Sequence, residues 1–286
     1  MRPIRLAVAA ALLFGAAAAS AAEAPREAAG GPAHVGTFAC VSCHAAEAAA
    51  WRGSHHQPAW TLPAEDTVLG DFADARFEHH GIVTQFFRRD GGWRVEADGP
   101  DGTRTEYEVV GVAGIAPLQQ YLVETEPGRL QPLDVAWDAV AGRWYHLYPE
   151  QRLAAGDGLH WTGPYKTWNA RCAECHATDY RRRYDARTRR YDSREAEIGV
   201  GCEACHGPGS AHLAWAEGRA PGAVAAGFPA GFSAEAPRTE VETCAGCHSR
   251  REALPDGLGA PGTAYDDAYR LMLLRPGMYH ADGQIK

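Results

Sequence analysis

The chain has 286 residues, 45% of them hydrophobic and 22% charged, which places it among globular proteins with room for one large domain or two small ones and excludes wholesale disorder. Its formal net charge of -8 argues against nucleic acid as a partner.

At the start, Arg2 and Arg5 precede an apolar stretch, Leu6 to Ala19, and the small-residue triplet Ala19-Ser20-Ala21. Residues 1–22 therefore read as a signal peptide, and the protein as periplasmic or otherwise exported. The stretch is too short and too rich in alanine for a span, which needs about 20 strongly apolar residues, and no membrane span is expected after cleavage. Cleavage removes two arginines and no acid, leaving about -10. Residues 23–35, rich in Ala, Gly and Pro, read as a flexible lead-in.

All eight cysteines fall in four copies of one pattern. These are Cys40-Val41-Ser42-Cys43-His44, Cys172-Ala173-Glu174-Cys175-His176, Cys202-Glu203-Ala204-Cys205-His206 and Cys244-Ala245-Gly246-Cys247-His248. Two cysteines three apart meet the two vinyl groups of a haem as thioethers, and the adjacent histidine supplies an axial iron ligand. Paired CxxC motifs also bind zinc or form redox disulfides, but neither use requires a histidine after every second cysteine. The expected cofactor is four covalently attached haem c groups, with His44, His176, His206 and His248 on iron.

Residues 36–76 form the first haem-binding segment, with a short helix expected at Ala45 to Arg52. Residues 77–150 change pattern. Alternating runs at Ile82 to Arg88, Trp93 to Ala97, Arg104 to Val110, Leu118 to Glu124, Arg129 to Trp137 and Arg143 to Tyr148 are separated by glycine-rich turns, the signature of an antiparallel β insertion. Residues 151–286 hold three crowded motifs, with 25 residues between His176 and Cys202 and 37 between His206 and Cys244. Haems are expected to form much of the core there. The fold class expected is thus a mainly α and irregular multihaem cytochrome c fold, with a small antiparallel β subdomain inserted between the first and second motifs. The arginine-rich stretch Tyr180 to Arg194 reads as a solvated hairpin or loop, with Arg181 to Arg183 as candidates for pairing with haem propionates.

Nine histidines remain for the second axial positions: His34, His55, His56, His79, His80, His146, His160, His212 and His280. His212 leads, because Gly207-Pro208-Gly209 turns the chain away from its own haem and toward a neighbour. His55 or His56 follows, closely behind the first motif. His146 and His160, beside Trp144, Tyr145 and Trp161, read equally as ligands or as core residues. Met272 and Met278 are alternative ligands that raise the potential.

Cys202 to His212 together with Trp51-Arg52-Gly53-Ser54-His55-His56, Pro117 to Leu122 and Leu159 to Gly163 resemble multihaem cytochromes of the c-552/4 type. These are related to the tetrahaem cytochrome of ammonia oxidisers and to hydroxylamine oxidoreductase, in a subgroup usually fused to tetratricopeptide repeats. The resemblance runs from about Gly36 to Ile285. It implies stacked haems, mostly bis-histidine ligation and electron transfer, with His212 and His55 or His56 as axial ligands. Chains of that subgroup usually continue past Tyr279 to Ile285, so the resemblance also implies a C-terminal truncation. The partners expected are redox proteins, of the class of a membrane quinol dehydrogenase or a terminal reductase. The competing expectations are an oxidoreductase acting on a small nitrogen or sulfur species at a five-coordinate haem, with His79, His80 or Tyr107 as proton donors, and a haem-bearing assembly or sensing subunit.

Overall fold

The computed structural model describes residues 31–229, 231–232, 236–254, 259–273, 275 and 277–279. The expected signal peptide and His280 lie outside the described residues.

The largest element is a nine-stranded antiparallel sheet: β1 Trp60–Thr61, β2 Ala75–His79, β3 Ile82–Arg89, β4 Gly92–Asp98, β5 Arg104–Ala113, β6 Leu118–Glu126, β7 Arg129–Pro132, β8 Val135–Asp138 and β9 Arg143–His146. Its order is β2-β3-β4-β5-β6-β8-β9, with β1 added to β5 and β7 to β6. Two of its hairpins are set by local chemistry. His80 and Gly81 both have positive φ between the paired residues His79 and Ile82, and so do Asp90 and Gly91 between Arg89 and Gly92. Two left-handed residues in succession match the twist of the flanking strands.

Long strands turn corners here. β5 pairs with β4 through residues 104–108 and with β1 through Val112 and Ala113, with a register break between Val109 and Gly111. An irregularity of this kind bends a strand and lets it serve two partners. β6 does the same with β7 and β8. The sheet curls until its ends approach, and the ring of His79 in β2 stacks on that of His146 in β9 at 3.9 Å.

Inside the curl lie Phe86, Val95, Tyr121 and Val123, all essentially inaccessible, with Phe72 and Trp144 packed against them. Burying aromatic faces of this size is the principal driving force for the sheet. Gln119 is buried at a strand position but fully satisfied. Its Nε2 donates to the Thr67 and Gly114 carbonyls, and its Oε1 accepts from Leu69 N–H and the Tyr121 hydroxyl.

The helices are short: α1 Phe38–Val41, α2 Ala45–Arg52, α3 Trp168–Arg171, α4 Ala173–His176, α5 Cys202–His206, α6 Ser210–Ala216, α7 Pro237–His248 and α8 Tyr265–Ala268. Short two- and three-residue ladders complete the structure: β10 Ala177–Thr178 with β13 Glu197–Ile198, β11 Tyr184–Asp185 with β12 Arg190–Tyr191, and β14 Arg251–Ala253 with β15 Tyr269–Leu271.

This corrects the expected fold class. The chain is not mainly α with a small β subdomain, since strand occupies 29% and helix 24%, and the sheet is large and nearly closed. The physical reason is that the sheet recruits segments with little visible alternation, β1 and β2, while most helices stop within one or two turns at a glycine or at a strand.

A second apolar cluster couples this sheet to the segment that follows. Trp60, Ala113 and Leu122 pack with Trp168, Ala173, Ala177 and Tyr180, and the Trp60 and Trp168 rings meet edge to face at 5.4 Å. Asn169 of α3 ties the same junction with polar contacts, accepting from Leu130 N–H at 2.8 Å and donating to the Gly128 carbonyl at 3.1 Å. The sheet is therefore the platform on which the second motif is mounted.

Candidate haem-binding site

Each CxxCH sits on or beside a short helix. The first runs from α1 to His44, the residue that precedes α2, the second lies at the α3–α4 junction and in α4, the third is α5, and the fourth closes α7. Positions i, i+3 and i+4 share a helix face, so one turn aims two thiols and an imidazole to the same side.

None of the eight cysteines is in a disulfide. Burial pushes the Cys40 thiol up to about 11 and the Cys172 thiol up to about 12, and raises Cys205 as well. Cys175 and Cys247 share a hydrogen bond that holds Cys175 below and Cys247 above the ordinary thiol value. Burial thus holds Cys40, Cys172 and Cys205 in the protonated form at neutral pH, unlike zinc thiolates.

These contacts also order the motifs in space. Cys40 is hydrogen-bonded to Cys202 and Cys247 to Cys175, and Cys244 is near enough to Cys205 to act on it electrostatically. The spatial series is first, third, fourth, second. Sequence order alone does not predict it.

Two imidazole pairs span motifs in the same way. The His44 and His212 rings are 6.1 Å apart between centroids at 38°, and the His56 and His248 rings are also 6.1 Å apart, at 69°. A ligating imidazole nitrogen lies about 2 Å from its metal, and with roughly 1 Å from ring centre to nitrogen, two imidazoles trans across one metal have centres about 6 Å apart. Among the described residues no three His, Cys, Asp or Glu side chains converge as a bare metal ion needs. Imidazoles meeting in pairs suit an iron whose other four positions a porphyrin fills, and the paired thiols suit the vinyl groups of such a ring.

Backbone carbonyls fix the ring orientations. His176 Nδ1–H donates to the Ala59 carbonyl at 2.7 Å, and His212 Nδ1–H donates to the Ala226 carbonyl at 2.9 Å. Such a bond leaves Nε2 with its lone pair for a metal. Burial lowers the pKa of His176 and of His206, which favours the neutral, ligating form. A cleft between the first and third motifs is lined by Cys40, His44, Trp51, His56, Cys202 and His206.

A family model described as cytochrome c554 and c-prime matches residues 145–207, the stretch that carries the second and third motifs. The solved structure of the outer cell wall cytochrome OcwA is similar with a TM-score of 0.56 and 19% identity, over 88% of this chain and 48% of that one. The chain shares its fold with that part of OcwA. An undecahaem cytochrome from the S-layer of Carboxydothermus ferrireducens is also similar, with a TM-score of 0.42 and 18% identity over 78% of this chain and 26% of that chain. This chain spans about half the length of the OcwA chain. No curated protein sequence matches it. The family match takes in two of the four CxxCH motifs, and together with the fold likeness it supports haem c as the cofactor.

His55 is exposed beside His56 and makes no ring pair among the described residues. His206 packs against Phe228 at 5.7 Å and Phe232 at 5.1 Å, with His44 and His212 near enough to act on it electrostatically. His160 and His146 sit elsewhere, at the seam of the sheet. Both ring nitrogens of His160 are engaged, Nε2 with Asp98 at 2.9 Å and Nδ1 with the Thr162 hydroxyl at 2.8 Å. His146 Nδ1 accepts from Tyr148 N–H, and its pKa is pushed down to about 4 by burial and by the neighbouring His79 and Lys166. His34 lies 3.7 Å from Asp179. No helix among the described residues is long and apolar enough to cross a membrane.

One functional residue lies in a position that a motif scan ignores. Glu203, between the cysteines of the third motif, is 3% exposed and accepts from Val35, Gly36 and Gly209 N–H at 2.7–3.1 Å. It clamps the segment before the first motif to the turn that delivers His212. Gly207 opens that turn at φ +81°, where a Cβ would strike Pro229 at 2.5 Å. Only glycine fits there.

Proposed function

We propose that the chain is an exported tetrahaem c-type cytochrome that carries electrons between redox proteins. Cys40 and Cys43, Cys172 and Cys175, Cys202 and Cys205, and Cys244 and Cys247 each hold one haem c, with His44, His176, His206 and His248 as the first axial ligands. His212 is the second ligand opposite His44, and His56 the second ligand opposite His248. The observation that carries this reading is the recurrence of one 6.1 Å imidazole spacing across two different pairs of motifs. The cofactor, when bound, supplies one-electron chemistry at iron. The protein's own residues supply attachment, axial ligands of fixed tautomer and a low-polarity surround.

The mass of the mature protein, produced with a haem maturation system, is expected to exceed that of residues 23–286 by four haem masses. Its electron paramagnetic resonance spectrum is expected to be dominated by low-spin ferric haem. A mass without covalent haem would overturn the assignment.

A second reading follows from the Phe228 and Phe232 side chains beside His206. A haem there without a facing imidazole is five-coordinate and open to a small nitrogen or sulfur species. A substantial high-spin signal that shifts with nitrite, hydroxylamine or sulfite selects this reading, and its absence selects the pure carrier.

A further inference from the structure

Residues 179–195 carry seven arginines and four acids, a formal +3, whereas the remainder of the chain carries -11. This basic island is an exposed hairpin built on β11 and β12. Its acids are already committed. Asp179 pairs with Arg181, Asp192 with both Arg183 and Arg194, and Asp185 accepts from the Arg187 N–H and the Thr188 hydroxyl, while Glu195 lies near Arg194. Arg189 and Arg190, at the tip, have no ion pair among the described residues. Their charge faces solvent.

The base of the hairpin is tied to the second motif. Tyr180 donates to the Asn169 carbonyl at 2.9 Å, Asn169 Nδ2 donates to the Ser193 hydroxyl at 3.0 Å, and Ser193 donates to the Arg182 carbonyl at 2.9 Å. The Arg129 guanidinium lies over the Tyr191 ring. Asn169 is in α3, one turn before Cys172. The second motif is itself one end of the spatial series of motifs. A fixed positive patch is therefore mounted at a terminus of the series, on an otherwise negative protein.

We propose that this hairpin is the docking surface for an acidic redox protein, which exchanges electrons with the chain at its second motif. The step is a one-electron transfer: the partner's reduced centre loses an electron, a ferric haem gains it, and no bond or proton moves. The proposal rests on the haem reading above.

Two proteins of like net charge repel, so without a local patch their association quickens as salt is added. A patch of the opposite sign inverts that dependence. The probe is a reduced plant-type [2Fe–2S] ferredoxin, an acidic one-electron donor, mixed with the holoprotein by stopped flow as ionic strength rises from about 0.01 to about 1 M, which shortens the Debye length from about 30 to about 3 Å. The comparison variant is Arg187→Ser/Arg189→Asn/Arg190→Thr, in which Asn tolerates the left-handed φ of +57° at position 189. Binding of the oxidised proteins is read separately, on immobilised ferredoxin.

The rate of haem reduction is expected to fall with salt in the parent protein. In the variant it should drop about tenfold at low salt and reverse its slope, with reduction by dithionite unchanged. A parent rate that rises with salt, or a variant that matches the parent, overturns the proposal. So does a variant whose haem potential shifts while its salt slope stays, since that assigns the arginines to propionates of this chain. A preparation with no haem absorbance refutes the haem reading instead, and binding to immobilised ferredoxin still tests the patch.

Discussion

Replacing Glu203 with glutamine removes the charge and one acceptor from a site where three backbone N–H groups converge. Both carboxylate oxygens are in use, Oε1 by Val35 and Gly209 and Oε2 by Val35 and Gly36. The amide keeps one oxygen and turns an NH2 group toward an N–H, so donor faces donor. A hydrogen bond to a charged group is worth about 1.5–3 kcal/mol, and an orphaned buried N–H costs about 1–3 kcal/mol more. With the side chain 3% exposed, water cannot compensate, and the total is about 3 kcal/mol. At a urea slope of about 1–3 kcal/mol/M, the unfolding midpoint of the holoprotein, followed by far-ultraviolet circular dichroism, should fall by about 1–3 M. Haem content should not change, because no haem-attachment residue is touched. A midpoint equal to that of the parent would refute the clamp.

Three further outcomes are expected. His56→Ala and His212→Ala each convert one low-spin haem to high spin by electron paramagnetic resonance, whereas His55→Ala leaves the spectrum unaltered. The folded pKa of His146 lies near 4, below the ordinary imidazole value of 6.5, so the unfolded chain takes up its proton first as pH falls. Stability conferred at the sheet seam is therefore present above pH 6.5 and declines from there to about pH 4, and His146→Asn should flatten that part of a pH series of thermal melts. Gly128→Ala places a Cβ 2.2 Å from the Tyr191 carbonyl at a backbone φ of +79°. The left-handed conformation alone costs about 1–2 kcal/mol, and with the clash the base of the arginine hairpin should loosen and be nicked earlier by trypsin.

The four CxxCH motifs are legible in the sequence because each is written in contiguous residues, Cys to His within about one helical turn. The approach of His212 and His56 to other motifs is legible almost as well. A turn of Gly, Pro and Gly, or a position shortly behind a motif, restricts where the next imidazole can go. What the residues do not announce is contact at a distance. The rings of His160 and His146 look available from their aromatic neighbours, but Asp98 and Thr162 hold the first, while Tyr148 N–H and the stacked His79 hold the second. Glu203 occupies a position that haem attachment leaves free, and its partners at Val35 and Gly36 lie far back in the chain. The fold class fails for a related reason. Six alternating runs account for seven of the nine strands, the run Arg129 to Trp137 dividing into β7 and β8, whereas Trp60–Thr61 is too short to show a period and Ala75–His79 offers one large apolar residue, Phe77. Both owe their place to backbone pairing with strands that are legible.

The two imidazole pairs join residues 168 and 192 positions apart, His44 with His212 and His56 with His248. On the proposed ligation, neither iron at the ends of those pairs can be closed when its first histidine emerges. At a synthesis rate of roughly 5–20 residues per second, the interval before His212 follows His44 is about 10–30 s. The nine-stranded sheet lies within that interval in the chain. A haem attached early at the first motif therefore waits, with one side open, until the sheet and two further motifs have been made. Maturation of this protein is consequently exposed to adventitious ligands, and the order in which attachment and sheet formation proceed becomes part of how its coordination is secured.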